Sequence, residues 1–357
     1  METRYRKNQE LNAFLIGTGG QGARRGYSIK LSNGWKLAGV FDKDSNLGSR
    51  MAMKWKCKCY SDLQAGLNDE TVDLVVIATP PSYHDELIEM AINAGKHVMC
   101  EKPLTINALS AQKLAEKAEA NGLIMATGFN HRFYKPVMDA VDLLKNHELG
   151  ELIQVQGRIG QKPEETDLNG WLGNYEISGG GVLTDNGSHL IDLIQMFSGQ
   201  LNQVQKAEVT WDERRENIEL LSKAEITGNH GFKAYIECSW MESDEPYLSI
   251  DLKCERGSIR ISAFPWRLEI LPTGGKKTVR NYWDERFFMK LLGLKSPGLE
   301  RSLMREMASL RNMIFGEQIN SGLVSIATGY DGASVARVVE SIREASLLKS
   351  NCGSSNE

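Results

Sequence analysis

Residues 11–22 read Leu11-Asn12-Ala13-Phe14-Leu15-Ile16-Gly17-Thr18-Gly19-Gly20-Gln21-Gly22. A short apolar run that breaks into closely spaced glycines predicts a buried strand entering a tight turn. Glycines serve any tight turn, so the context decides the reading. A second strand is predicted over Lys36–Phe41, and it stops at Asp42, 20 residues beyond Gly22. That is the layout of a dinucleotide site. Gly17 permits the turn, Gly19 lets backbone approach a pyrophosphate, and Gly22 permits close helix–strand packing, while the helix N-terminus offers N–H groups to the phosphates. Asp42 would accept hydrogen bonds from the adenosine ribose, or it is an ordinary carboxylate at a strand end. A 2′-phosphate there would meet a negative charge, which argues for NAD over NADP. Lys43 and Arg24 are close enough in sequence to keep NADP possible.

Working outward, Asp73–Ala78 (DLVVIA) is apolar on both faces, as a parallel strand requires. His97–Cys100 and Leu123–Thr127 are further strands, and helices are predicted over 47–55, 84–93 and 107–120. The alternation predicts a doubly wound Rossmann domain over residues 8–128. From residue 129 the rhythm changes. Helices are expected over 134–145, 186–197, 300–315 and 325–348, and strands over 153–159, 206–211, 232–237, 248–254 and 258–263. An α+β domain with a mostly antiparallel sheet is therefore expected over 129–350. The last helices would pack on one domain or between both, with a frayed tail.

Composition excludes several classes of function. With 41% hydrophobic and 25% charged residues, the chain has the make-up of a globular protein rather than a disordered one. The net charge of -4 gives no general attraction to a nucleic-acid backbone. Arg24-Arg25 and Lys276-Lys277 read as solvated surface. Six scattered cysteines fit a reducing compartment, and Cys57-Lys58-Cys59 has no second ligand pair for zinc. No metal site is expected. Without an apolar window of membrane-spanning length or a signal-like start, the cytoplasm is the expected location and no membrane partner is expected.

Three further groups can carry chemistry. Ala78-Thr79-Pro80-Pro81-Ser82-Tyr83-His84 lies at the carboxyl end of a strand, where open parallel sheets bind ligands. Thr79 or His84 could hydrogen-bond to a cofactor there, or His84 simply caps or surfaces the next helix. Cys100-Glu101-Lys102-Pro103 ends another strand. A lysine there could stabilise an alkoxide or move its proton, and Pro103 fixes its direction through an extended preceding residue or a cis bond. The third group, Ser178–Asp192, contains Gly179-Gly180-Gly181 and then Asp185 and His189, four apart. His189 would accept a proton. Asp185 would bind a hydroxyl or tune His189, unless it is a helix N-cap. The three glycines imply a backbone that passes close to something or moves. Trp171, Tyr175 and Trp283 are candidate pocket walls or plain packing, and residues 164–167 read as a solvated loop.

GTGGQG, Asp42, ATPPSYH, CEKPL, GFNHRF and GGGVLTDNGSHLIDL occur in an order and spacing similar to the glucose–fructose oxidoreductase / inositol dehydrogenase family, over about residues 10–345. The resemblance implies a Rossmann domain followed by an α+β domain whose large open-faced sheet packs a homodimer or homotetramer. It implies that Gly17, Thr18, Gly19, Gly20, Gln21, Gly22, Asp42, Ala78, Thr79, Pro80, His84, Glu101 and Lys102 face the cofactor. It implies Lys102, Asp185 and His189 as catalytic residues and Lys102, Asn130, Arg132, Tyr134, Asp185 and His189 as substrate-binding residues, with His131 beside them. The activity expected is hydride transfer between NAD and a secondary alcohol of a cyclitol, sugar or sugar derivative. His189 would take the hydroxyl proton, and Lys102 would steady the oxygen. Two alternatives stay open: an NAD-assisted glycosidase or lyase using transient oxidation, and a non-enzymatic sensor of sugars or dinucleotides.

Overall fold

The computed structural model describes residues 9–263, 266–282, 301–317 and 324–353. In chain order the longer elements of the first part are β1 (Leu11–Ile16), α1 (Gly20–Leu31), β2 (Trp35–Phe41), α2 (Ser45–Trp55), β3 (Lys58–Cys59), α3 (Leu63–Leu67), β4 (Leu74–Ile77), α4 (His84–Asn93), β5 (His97–Cys100), α5 (Ala108–Ala120) and β6 (Met125–Thr127). Then come α6 (Lys135–Lys145), β7 (Leu152–Gly160), α7 (Glu165–Leu168), α8 (Tyr175–Ser178), α9 (Ser188–Ser198), β8 (Leu201–Trp211), β9 (Glu219–Gly228) and β10 (Lys233–Ser239). The chain continues through β11 (Tyr247–Cys254), β12 (Gly257–Ala263), β13 (Arg267–Pro272), β14 (Thr278–Asn281), α10 (Arg301–Ile314), β15 (Ala327–Thr328) and α11 (Gly329–Gly353).

Two compact units divide these elements. The first holds a seven-stranded sheet ordered β15-β6-β5-β4-β1-β2-β3. Every pairing is parallel except β15 with β6. The residues of β4, β5 and β6 are all buried, because helices cover both faces, and this explains the unbroken apolar runs. Phe14, Val75, Ile77, Ile88, Val98 and Leu114 share one core cluster, with Tyr60 edge-on to Phe14 at 4.9 Å between centroids. Asp44 caps α2, accepting from the N–H groups of Asn46 and Leu47, and Asp62 caps α3. β1 lies between β4 and β2, so the strand order reverses at its carboxyl end.

The compact units do not divide simply at the expected 128/129 boundary. Residues up to 134 belong to the first unit, and so do 301–317 and 324–333; residues 106–108 group with the second. The physical reason is that the chain returns. β15 adds to the β6 edge, α10 packs on α1, and the Trp35 indole N–H donates to the Met307 carbonyl at 3.0 Å.

The second unit is built on an eight-stranded sheet ordered β14-β13-β12-β11-β7-β10-β9-β8. It is antiparallel throughout except for β7 beside β10. α9 lies against β7 and β10, and α6 against β12 and β13. Three strands were not expected: β9, β13 and β14. β9 reads Glu-Leu-Leu-Ser-Lys-Ala-Glu-Ile-Thr-Gly, whose Glu, Lys and Ala carry little strand preference, and all four residues of β14 are exposed. No described helix is long and apolar enough to cross a membrane.

Candidate functional site

In the first unit the glycine turn has the shape a dinucleotide needs. Gly17 has φ +86°, and a Cβ there would sit 2.6 Å from the Ala78 carbonyl oxygen. A Cβ on Gly22 would run into the Gly17 carbonyl. Both close approaches let α1 start directly above β1. By contrast, a Cβ on Gly19 or Gly20 would meet nothing within 4 Å, so the space before the helix N-terminus is open. No side chain caps that end, and no acidic residue occupies its first turn. Beside the turn, Thr79 Oγ1 is buried with no hydrogen-bond partner among the described residues. Open N–H groups and an orphaned hydroxyl on a carboxyl edge fit a bound pyrophosphate and nicotinamide ribose.

Asp42 stands at the end of β2, where the sequence places it, and it also braces the turn. Its carboxylate accepts from the Thr18 N–H at 2.6 Å, the Thr18 hydroxyl at 2.8 Å and the Asp44 N–H at 3.0 Å. Oδ2 accepts both Thr18 bonds and Oδ1 accepts the Asp44 bond, so Oδ1 keeps a further lone pair for a ribose hydroxyl. Lys43 lies over the Tyr83 ring at 5.3 Å, and Arg24 donates to Gln21 Oε1 at 2.8 Å.

His84, at the start of α4, turns inward. Its side chain is buried, Nε2 lies 2.9 Å from the Thr79 carbonyl, and Nδ1 lies 2.9 Å and 3.2 Å from the carbonyls of Pro103 and Leu104. Both nitrogens face backbone carbonyls, and the neutral ring, with one N–H, donates to one side only while it packs between the Ala78–Pro80 turn and the turn after Lys102. Burial depresses its pKa. The Lys102–Pro103 bond is cis.

Glu101 also turns inward. It accepts from Gln21 Nε2 at 2.8 Å, from the Lys102 N–H at 3.3 Å and from the Arg25 guanidinium, which also pairs with Glu306. Arg25 is 1% exposed, Glu101 6% and Glu306 0%. The expectation that Arg24-Arg25 is solvated fails at Arg25, because Gly22, Arg25, Gly26 and Ile29 form the buried stripe of α1. That spacing was the available signal. Burial alone would lift the Glu101 carboxyl, but the Arg25 charge and the Gln21 hydrogen bond hold it below its ordinary value.

Of the remaining first-unit candidates, Asn130, Arg132 and Tyr134 are buried. Asn130 Nδ2 donates to Ser302 Oγ at 3.1 Å, and Arg132 pairs with Asp331 at 3.4 Å. Both therefore also dock the returning C-terminal segment. Burial, with the charges of Lys102 and Arg24, lowers the His131 pKa to about 3, so its imidazole is neutral.

In the second unit, Gly179 and Gly180 have φ of +75° and +137°. A Cβ on Gly180 would strike the Arg343 guanidinium, and one on Gly181 would strike the Glu219 backbone. The backbone passes close, one of the two outcomes the glycines imply. Arg343 pairs with Glu219, donates to the Gly179 carbonyl at 2.9 Å and to Thr184 Oγ1 at 2.6 Å, and Glu219 accepts from the Gly181 N–H. No local pattern marks this clamp, since residues 219 and 343 are far apart in the chain.

The helix expected from residue 186 begins as one π turn, Leu183–Gly187, before α9 starts at Ser188. Asp185 is therefore not the N-cap of α9, and no side chain caps it. A π turn widens the helix locally and re-aims its side chains; His189 sits on the first turn of α9, four residues on from Asp185, and is largely buried. Trp171 is 48% exposed, and the Arg343 guanidinium lies 5.8 Å from the Tyr175 ring. Trp283 lies outside the described residues.

A dinucleotide turn after β1 with a lysine after β5, two strands away, in a chain that also carries an open-sheet unit, defines the class of two-unit NAD-binding Rossmann proteins. Residues 11–129 match the model of the Gfo/Idh/MocA oxidoreductase family, NAD-binding Rossmann fold, and residues 137–260 match the family's C-terminal domain. The chain belongs to the Gfo/Idh/MocA family. An uncharacterised oxidoreductase of Schizosaccharomyces pombe is 37% identical over 135 residues, 38% of this chain and 36% of that protein. The D-glucoside 3-dehydrogenase of Escherichia coli is 31% identical over 170 residues, covering 47% and 48%. The match thus spans only about a third to a half of these relatives' length. The solved aldose-aldose oxidoreductase of Caulobacter crescentus superimposes with TM-score 0.82 at 19% identity, over 96% of this chain and 98% of that one; at that identity the likeness concerns the fold.

Proposed function

We propose that the protein is an NAD-dependent oxidoreductase acting on a secondary alcohol of a cyclitol, sugar or sugar derivative. The observation that carries this reading is the glycine turn, open before α1 and lined by an orphaned Thr79 hydroxyl, with Lys102 at the end of β5, two strands from β1. Bound NAD supplies a hydride acceptor. The turn 17–22 and Thr79 hold its phosphates and ribose, and Asp42 takes the adenosine ribose hydroxyls. That carboxylate favours NAD over NADP. Lys102 stabilises negative charge on the substrate oxygen, His189 accepts the hydroxyl proton, and Asp185 holds a flanking hydroxyl.

Support for the substrate class comes from relatives named for D-glucoside and aldose chemistry. A homo-oligomer assembled through the open sheet face accompanies this reading. Arg158, Lys206, Glu208, Lys223, Glu225 and Glu237 line a groove there that carries both signs of charge, suited to a second copy.

The test is a panel of cyclitols, aldoses and glycosides offered with NAD or NADP and followed by nicotinamide absorbance. The expected result is NADH accumulating in step with product for at least one class. Product formed without NADH would replace this reading by the transient-oxidation alternative, and dinucleotide binding with no turnover on any class would leave a sensor.

A further inference from the structure

Lys102 lies between two buried anchors. Behind it, the Glu101 carboxylate accepts the Lys102 N–H at 3.3 Å; ahead of it, the Pro103 and Leu104 carbonyls meet the His84 ring. Glu101 can serve as an anchor only if its charge is matched, because an unpaired buried carboxylate is strongly disfavoured. The match is Arg25, itself gripped by Glu306. Two carboxylates flank one guanidinium, and Gln21 from the glycine turn completes the set at 2.8 Å. Lys102 acts electrostatically on both Glu101 and the neutral His131, and Arg24 joins the same network by donating to Gln21. A buried network of this kind costs stability relative to apolar packing, so its retention calls for a use.

We propose that Arg25 is a positioning residue for Lys102, acting through Glu101, with Glu306 holding Arg25 in place. This rests on the reading that Lys102 takes part in the reaction.

Arg25→Met alone strands two buried carboxylates and destabilises the fold, so the decisive protein is Arg25→Met/Glu306→Gln, in which one of those charges is also removed. The double variant is expected to melt above Arg25→Met and to bind NAD within about threefold of the parent. Its kcat stays down by about tenfold or more, and Lys102 in the cofactor-free protein is acylated at a rate altered by about threefold or more while other lysines are not, as read by peptide mass mapping. Arg25→Lys, which keeps a cation but loses the fork, recovers part of kcat. Return of kcat together with stability, or parental Lys102 labelling, would overturn the proposal. Lys102→Ala run alongside separates the two failures. Near-parental turnover in that variant removes the role of Lys102 itself, whereas an inactive Lys102→Ala beside a fully active double variant removes only that of Arg25.

Discussion

The imidazole of His131 lies near two cations, Lys102 and Arg24, and is neutral in the folded protein down to about pH 3, whereas an ordinary histidine takes up a proton at 6.5. Between those values the unfolded chain binds the extra proton. This contribution to stability is therefore complete above 6.5 and is lost progressively as pH falls toward 3. His131→Asn should flatten the acid-side fall of the melting temperature, and an unchanged slope would contradict the burial seen here. Residue-scale legibility was uneven for a clear reason. Gly17, Gly22 and Asp42 are legible as candidates because glycines spaced after an apolar run and a carboxylate at the next strand's end are local patterns. The surroundings of Glu101 and His84 were not legible, because the Arg25 guanidinium and the Thr79 and Pro103 carbonyls that they face are brought to them by distant parts of the chain.

Among the elements, the turn 179–187 shows how the segment carrying Asp185 is held. A close-packed glycine run and a π turn precede α9, and the Arg343–Glu219 pair clamps them, with Glu219 fully buried. Breaking such a pair by removing one partner costs about 3–5 kcal/mol. Arg343→Met should therefore lower the unfolding free energy of the second unit by that order, measured by denaturant titration. A loss below about 0.5 kcal/mol, as for an exposed substitution, would contradict the clamp. The central parallel strands of the first unit were readable because both faces are buried and most of their residues are apolar. In the second sheet one face meets solvent, so β9 and β14 carry Lys, Glu and Arg and lose the signal, whereas β7 keeps a readable alternation.

At the scale of the whole chain, the Rossmann unit is discontinuous: α10 and β15 complete it from beyond residue 300. A contact between residues 25 and 306 leaves no local pattern, which is why a boundary near 128 looked sufficient. A chain ending at residue 134 would expose the α1 surface that α10 covers and leave Arg25 with one carboxylate. Such a fragment should show markedly faster amide exchange in α1 than the full chain does, and equal protection would contradict the structural role of the return. The account as a whole depends on Lys102 acting on a substrate beside bound NAD. The most direct measurement is steady-state turnover of Lys102→Ala against the parent on the best panel substrate, with NAD affinity titrated on the same preparations. Turnover is predicted to fall by about 10²–10⁴ while NAD affinity moves by less than about threefold. Turnover near the parental rate with NAD still bound would contradict it.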